Sequence, residues 1–324
     1  AGALLATSVG SRSVAFYHYV LGLDYGPGSD GQLRQAGVEP ETTGALNGTI
    51  RFVAIPIPGT GWHIQVIETS GIERRNIDAR RQDIGAAGLI FYVRDFDSVL
   101  RALKVAKTEI VTEGGMPVRS GRKGTGPRAI LTKDPDGFFV EIREAEGQSE
   151  SGGSSNVISA RMALSIGDTE KTARYWRDVL GFDVQSEPNY RLDAAEARLH
   201  GTRGAKVRTS LATLRADGPF LASNLVFELD EFAGIERKTL KTRYEDPGTG
   251  GFVLRLRTGN SGLRGKEMAD FVSRVKSSGQ YKVLTLGGDA VDRGRRLVIF
   301  FQELNGFMLE VTQTVKDSSG SGVP

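Results

Sequence analysis

The sequence predicts an α+β fold of four βαβββ modules, one plan stated twice along 324 residues. Three observations carry that prediction. First, blocks recur in order. SVAFYHYVLGLDYG from Ser13 returns as TARYWRDVLGFDVQ 159 residues later, IQVIETSGIERR from Ile64 as FELDEFAGIERK after 163, and DPDGFFVEI from Asp134 as ELNGFMLEV after 169. Slowly growing offsets are what loop insertions in one copy of a tandem duplication produce. Second, each half reads as strand, helix and several strands, twice over. Third, the Gly/Ser-rich stretch EAEGQSESGGSSN lies where the duplication needs a boundary, and has the composition of a flexible linker. The units expected are 1–145 and 157–315, with 146–156 as linker and 316–324 as a mobile tail.

Each element has a local reason. Residues 13–21 place Val14, Tyr17 and Leu21 on one helical stripe, and Gly22 stands where a C-cap glycine would. The copy offers Ala173, Trp176, Leu180 and Gly181. Residues 51–57 and 63–68 alternate as half-buried strands do. A fresh strand follows at 88–94, a helix at 97–107, and strands near 109–112, 128–131 and 138–142. The second half repeats this from GFVLRLR at Gly251 through Val311.

Composition narrows the classes. Charged residues make up 25% and apolar residues 39%, as in an ordinary globular protein. No apolar run approaches the ~20 residues of a membrane span. The net charge is +3, and the basic clusters (Arg74, Arg75, Arg80 and Arg81, and residues 119–128) carry no interleaved aromatics, which argues against nucleic acid as a partner. The absence of cysteine excludes disulfides, thiolate metal sites and cysteine nucleophiles. The start Ala1-Gly2-Ala3 fits a trimmed chain or an exported mature protein, with the cytoplasm as the alternative.

The helix end FYHYVLG (Phe16 to Gly22), its copy at Tyr175 to Gly181, and the closing strand DPDGFFVEI resemble the vicinal oxygen chelate superfamily. That superfamily includes glyoxalase I, bleomycin-resistance proteins and extradiol dioxygenases. The chain looks most like its two-domain bacterial members, many of them exported. The resemblance implies that modules pair into two cupped glyoxalase-like domains. Each cup would hold a divalent metal on side chains from the first and last strands of its modules. It specifies a fold far better than a reaction.

Tested by residue, those ligand positions are incomplete. Glu141 matches the usual glutamate, and strand alternation points it into the cup with Phe139. The equivalent position in module one is Gln65, and the opening strands offer Gly2 and Gly88, so no transition-metal set results. His63, two residues from Gln65, is expected as a hydrogen-bonded cup-lining side chain. In the second half Glu228 and Glu310 take both carboxylate positions, with Arg161 and Gly251 on the opening strands and Arg255 on the face of Gly251. Two facing carboxylates without a cation would repel, so an arginine–glutamate network is expected in place of the metal. No cofactor is expected; were a divalent metal held, Glu228 and Glu310 would be its ligands.

The leading expectation is a protein that binds a small molecule in its cups, through His63, Gln65, Glu141 and Tyr92 in the first and Arg161, Glu228, Arg255 and Glu310 in the second. An anionic ligand would suit the second cup if Arg255 were free to clamp it. One alternative is a lyase or isomerase with Glu141 or Glu310 as general base and a weakly held divalent metal. Another is an assembly subunit with vestigial cups. His18 is expected at the surface and His200 in a loop, which disfavours a two-histidine iron site. The duplicated GIERR and GIERK connectors read as structural, and the pairs Gly114-Gly115 and Gly287-Gly288 as turns. No hydrolase triad is arranged. The pairing of modules within one chain lets a monomer suffice, with a homo-oligomer left open.

Overall fold

The alternation read from the sequence becomes strands, and the helical stripes become helices. The computed structural model describes residues 1–26, 31–37, 49–71, 73–120, 125–146, 155–215, 217–221, 224–244, 246–258, 266–294 and 296–314. Most of the expected linker and all of the expected tail lie outside them.

Module one comprises β1 (Gly2–Thr7), the helix Gly10–Ala15, β2 (Arg34–Gly37), β3 (Thr49–Pro56) and β4 (His63–Thr69). Module two comprises β5 (Ala87–Val93), the helix Phe96–Ala106, β6 (Val118–Arg119), β7 (Arg128–Lys133) and β8 (Phe139–Glu144). Module three runs through β9 (Val157–Ser165), the helix Thr169–Tyr175, β10 (Phe182–Ser186), a second helix Ala194–Leu199, β11 (Lys206–Leu214) and β12 (Val226–Ala233). Module four holds β13 (Val253–Arg257), the helix Lys266–Ser278, β14 (Tyr281–Val283), β15 (Val291–Asp292), β16 (Arg296–Glu303) and β17 (Met308–Thr314). The stretch expected as a strand near 109–112 contributes a single bridge, Ile110 to Thr132.

In modules one and three the first helix widens into a π turn, Phe16–Val20 and Trp176–Leu180. Gly22 (φ 69°) and Gly181 (φ 76°) then end it in the left-handed region that glycine enters without strain. The glycine pairs are turns, as read from the sequence, with Gly114 and Gly287 at φ 77° and 82°.

The strands form two sheets, ordered β14-β16-β17-β13-β1-β4-β3-β2, with β15 beside β16, and β10-β11-β12-β9-β5-β8-β7-β6. Each sheet therefore takes one module from each half. Antiparallel β1 and β13 join modules one and four, with Gly2 opposite Arg255. Antiparallel β5 and β9 join modules two and three, with Ile90 opposite Arg161. This corrects the grouping of site residues into cups expected from the order of the halves. The physical reason is that every module offers its first strand as an open edge, and backbone pairing carries no side-chain code for which edge it meets.

Modules adjacent in sequence are instead tied through side chains. The Asp136 carboxylate of the β7–β8 turn accepts from the Ser8 amide (2.8 Å) and the Ser13 hydroxyl (2.6 Å) of module one. In the second half Asn305 accepts from the Gly167 amide (2.9 Å) and donates to Thr172 (3.2 Å). The duplicated connectors run beside each other, with Ile84 and Leu240 exchanging backbone bonds with Lys238 and Ile84 at 2.8 Å. Fully buried Asp83 and Asp246 hold Arg80 (2.9 Å) and Arg75 (2.6 Å). One continuous apolar cluster joins the helix-bearing faces of both sheets through Tyr17, Phe91, Trp176, Phe227 and Phe271. Burial of side chains this size contributes about 1.5–3 kcal/mol each. The opposite faces carry the positions expected to line the cups.

Candidate functional site

The cup of modules two and three is floored by alternate residues of four adjacent strands. On β8, Phe139, Glu141 and Arg143 share the inner face, while Phe138, Val140 and Ile142 enter the core. The register sets Glu141 beside Ile90 and Arg143 beside Tyr92. Ile90, rather than Gly88, thus stands between Glu141 and Arg161. A Cβ on Gly88 would lie 2.9 Å from the Phe139 carbonyl, so that position accepts only glycine without movement.

Arginine occupies the centre of this floor. Arg143 donates to Glu141 through Nε (2.5 Å), to Glu228 through Nη1 and Nη2 (3.2 and 3.1 Å), and to the Tyr92 hydroxyl (3.3 Å). Arg161 donates to Glu228 at 2.8 Å. Both guanidinium groups lie against the Tyr92 ring, 5.3 Å away for Arg161 and 5.9 Å for Arg143. Burial raises the Tyr92 pKa. Burial alone would lower that of Arg143, but Glu141 and Glu228 raise it well above its usual value. Burial would also push Glu141 up, yet Arg143 and His200 outweigh it and hold the carboxyl below the usual range.

His200 was expected in a loop. It is buried at the end of the helix Ala194–Leu199, with Nε2 at 3.1 Å from Glu141. A carboxylate only accepts, so Nε2 carries the proton, and the buried Nδ1 has no partner among the described residues. The helix itself is anchored to module two, where Thr112 donates to the Leu199 carbonyl at 3.2 Å. Asp193 caps its first turn by accepting from Ala195 and Glu196. Sequence reasoning passed over Arg143 and assigned His200 to a loop. Period-two alternation from Glu141 points straight to Arg143, whereas nothing in the repeat signals His200.

Above the floor lies a cavity of about 440 Å³. Tyr92, Arg143 and Glu228 form its base, Val118, Pro127, Arg128 and Ala129 one wall, and Arg191, Ala195, Glu196 and Leu199 the other. Arg128 is held between Asp97 (2.6 Å) and Glu144 (2.8 Å), and Arg191 clasps Glu196 at 3.0 and 3.1 Å.

The cup of modules one and four is built alike and filled differently. Arg255 donates to both oxygens of Glu310 (3.0 and 2.8 Å) and to Gln65 Oε1 (2.5 Å). It is therefore not free to clamp an anion, the condition on which the anionic expectation rested. His63 lies on the same face, packed over Gly2, and burial, followed by the N-terminal ammonium and then Arg255, lowers its pKa to about 4. It makes no hydrogen bond with a described residue, contrary to expectation. Leu4, Ile67, Val253, Phe300 and Met308 pack together on that face. Glu228 and Glu310 thus belong to separate cups and cannot share a metal ion. His18, expected at the surface, is half-buried, and donates from Nδ1 to the Leu23 carbonyl at 2.8 Å.

These donors do not fit a divalent cation. Glu141, Glu228, Glu310 and Gln65 all spend side-chain oxygens on arginine or histidine, and any ion among them would face a guanidinium group. No group of three or more His, Cys, Asp or Glu side chains converges among the described residues.

No protein-family model matches the chain, and no curated protein matches it in sequence. Solved structures do match in shape. Zea mays glyoxalase I superimposes with a TM-score of 0.59 at 15% identity, over 96% of this chain and 91% of that one. A Bacillus subtilis protein with a provisional dioxygenase assignment gives 0.55 at 14% identity, over 97% and 84%. The fold is that of the vicinal oxygen chelate superfamily. Identity this low shows the fold alone, so the site must be read from its own chemistry. Both cups are floored by ion pairs, and a cavity lies above the floor of the cup of modules two and three. No described helix is long and apolar enough to cross a membrane.

Proposed function

We propose that this protein binds a small molecule in the cup of modules two and three. The observation that carries this reading is the cavity of about 440 Å³, a size suited to small ligands, with convergent polar groups at its base and both apolar and charged side chains on its walls. Tyr92, Arg161 and Glu228, expected from sequence as ligand-binding residues, meet at this floor with Arg143. His63, Gln65, Arg255 and Glu310 lie in the other cup, where apolar packing supports a structural role.

The lyase reading has less behind it. Glu141 is buried, ionised and doubly held, which makes it a poor proton acceptor. Glu310 is clasped by Arg255 in the cup of modules one and four.

The test is ligand-observed NMR with ring-bearing fragments, comparing the chain with an Ala195→Trp variant that fills the cavity from the half-exposed side of its wall. Binding that the tryptophan abolishes supports the reading. Fragments that bind both proteins equally, or neither, refute it.

A further inference from the structure

The cavity's charges say which ligands it suits, an inference that rests on the binding reading above. Five carboxylate side chains line it (Glu144, Glu146, Asp193, Glu196 and Glu228), against three guanidinium groups (Arg128, Arg143 and Arg191). All three arginines are already compensated. Arg128 is paired with Glu144 and Asp97, Arg191 with Glu196, and Arg143 with Glu228 and with Glu141 beneath the floor. Glu144, Glu196 and Glu228 are their partners, with Arg161 also on Glu228, and Asp193 caps its helix, so Glu146 is the carboxylate left over. An incoming anion would meet no unpaired cation at the wall and would face that excess carboxylate. An incoming cation would meet Glu146, exposed at the rim and without a described partner, and then Glu196 deeper in, whose carboxylate it would share with Arg191 alone, whereas Glu228 is held by both Arg143 and Arg161. The Tyr92 ring, Val118, Pro127 and Leu199 supply a surface for an apolar body.

We propose that the cup of modules two and three selects small cationic molecules with a flat or apolar body, such as an amine or amidine carried on a ring, and that Glu196 is a specificity-determining residue for the charge.

Glu196 also gives the proposal a signature. The charges around it are Arg191 and Asp193 on its own segment, His200 on the same helix, Asp230 and Glu228 on β12, and Glu141 and Arg143 on β8. Burial pushes its carboxyl up to about 7, with Asp230 adding to the rise and His200 and Arg191 opposing it. A cation prefers the ionised form and so competes with the proton. Between pH 6 and pH 8 the ionised fraction of such a group rises roughly tenfold, and affinity for a cation rises with it.

Benzamidine, benzamide and benzoate share a ring and differ in charge, and benzamidine stays cationic over this range. Each is titrated into the full chain by calorimetry at pH 6 and pH 8. The expected result is benzamidine binding at least tenfold more tightly than benzoate, with an affinity roughly tenfold higher at pH 8. Glu196→Gln flattens the pH dependence. Glu146→Gln, at an exposed position that leaves folding untouched, weakens benzamidine a few-fold. Benzoate or benzamide binding as tightly as benzamidine overturns the cation selectivity and leaves the cavity reading standing. Binding of no probe, or binding that Ala195→Trp does not change, removes both.

Discussion

Replacing Arg143 with leucine tests the network where it is most exposed to failure. The substitution keeps an apolar stem and removes the guanidinium. Glu228 retains Arg161 at 2.8 Å, so its charge stays paired. Glu141, whose side chain is 3% exposed, keeps only the His200 hydrogen bond at 3.1 Å. Stranding a buried charge by removing its partner costs about 3–5 kcal/mol. For a chain of 324 residues that corresponds to a fall in melting temperature of about 4–7 °C. The assay is urea and thermal unfolding of Arg143→Leu, Glu141→Gln and the double variant, at pH 7 and pH 4. The double variant should be more stable than Arg143→Leu alone, because the stranded charge is gone. At pH 4 the deficit of Arg143→Leu should shrink, since without its guanidinium partner burial drives Glu141 to protonate. A loss below about 1 kcal/mol, or a Glu141→Gln change that merely adds to the loss, would refute the argument that Arg143 neutralises Glu141.

Three further outcomes are expected. Burial pushes Asp134 and Glu303, in equivalent turns of modules two and four, up to about 7. Groups raised in the folded state stabilise it fully below their unfolded values near 4, and that stability, up to about 3–4 kcal/mol each, is lost as pH rises through 7. Urea titrations should therefore show unfolding free energy falling between pH 5 and pH 8, with a shallower slope in Asp134→Asn. Gly251→Ala should cost about 2 kcal/mol or more in the same assay, because its Cβ would meet the Asp246 carbonyl at 1.9 Å and the Ala6 methyl at 2.7 Å. After dialysis against Zn²⁺ or Mn²⁺, elemental analysis should find well under one ion per chain. A stoichiometric ion lost on Glu228→Ala would mean that the carboxylates can leave their arginines.

The modules were legible because their signals are local. Alternation placed β3, β4, β5 and β8 within a residue or two, and Gly22 and Gly181 marked their helix ends. Alternation also turned Glu141 toward the cup, and Glu228, the counterpart of Gln65, suggested Arg161, the arginine that holds it. The partnership of β1 with β13 and of β5 with β9 was not legible, since main-chain ladders between distant strands leave no pattern of side chains. That is why Gln65 was grouped with Glu141, and Glu228 with Glu310. Duplication, so useful elsewhere, was silent on His200. The helix Ala194–Leu199 has no counterpart among the described residues of module one, and no recurring sequence block reaches it.

Crosswise pairing has a consequence for descent. Each half of the gene contributes one wall to each cup, so neither cup can be inherited, discarded or exchanged without breaking the other. A single copy left by deletion could rebuild such cups only by pairing with another copy of itself. The duplicated chain could still let its two cups diverge, because the modules within a half no longer answer to the same ligand. Here the two cups already differ in what floors them, Arg143 and Arg161 in one and Arg255 in the other, and the shared halves hold both in place.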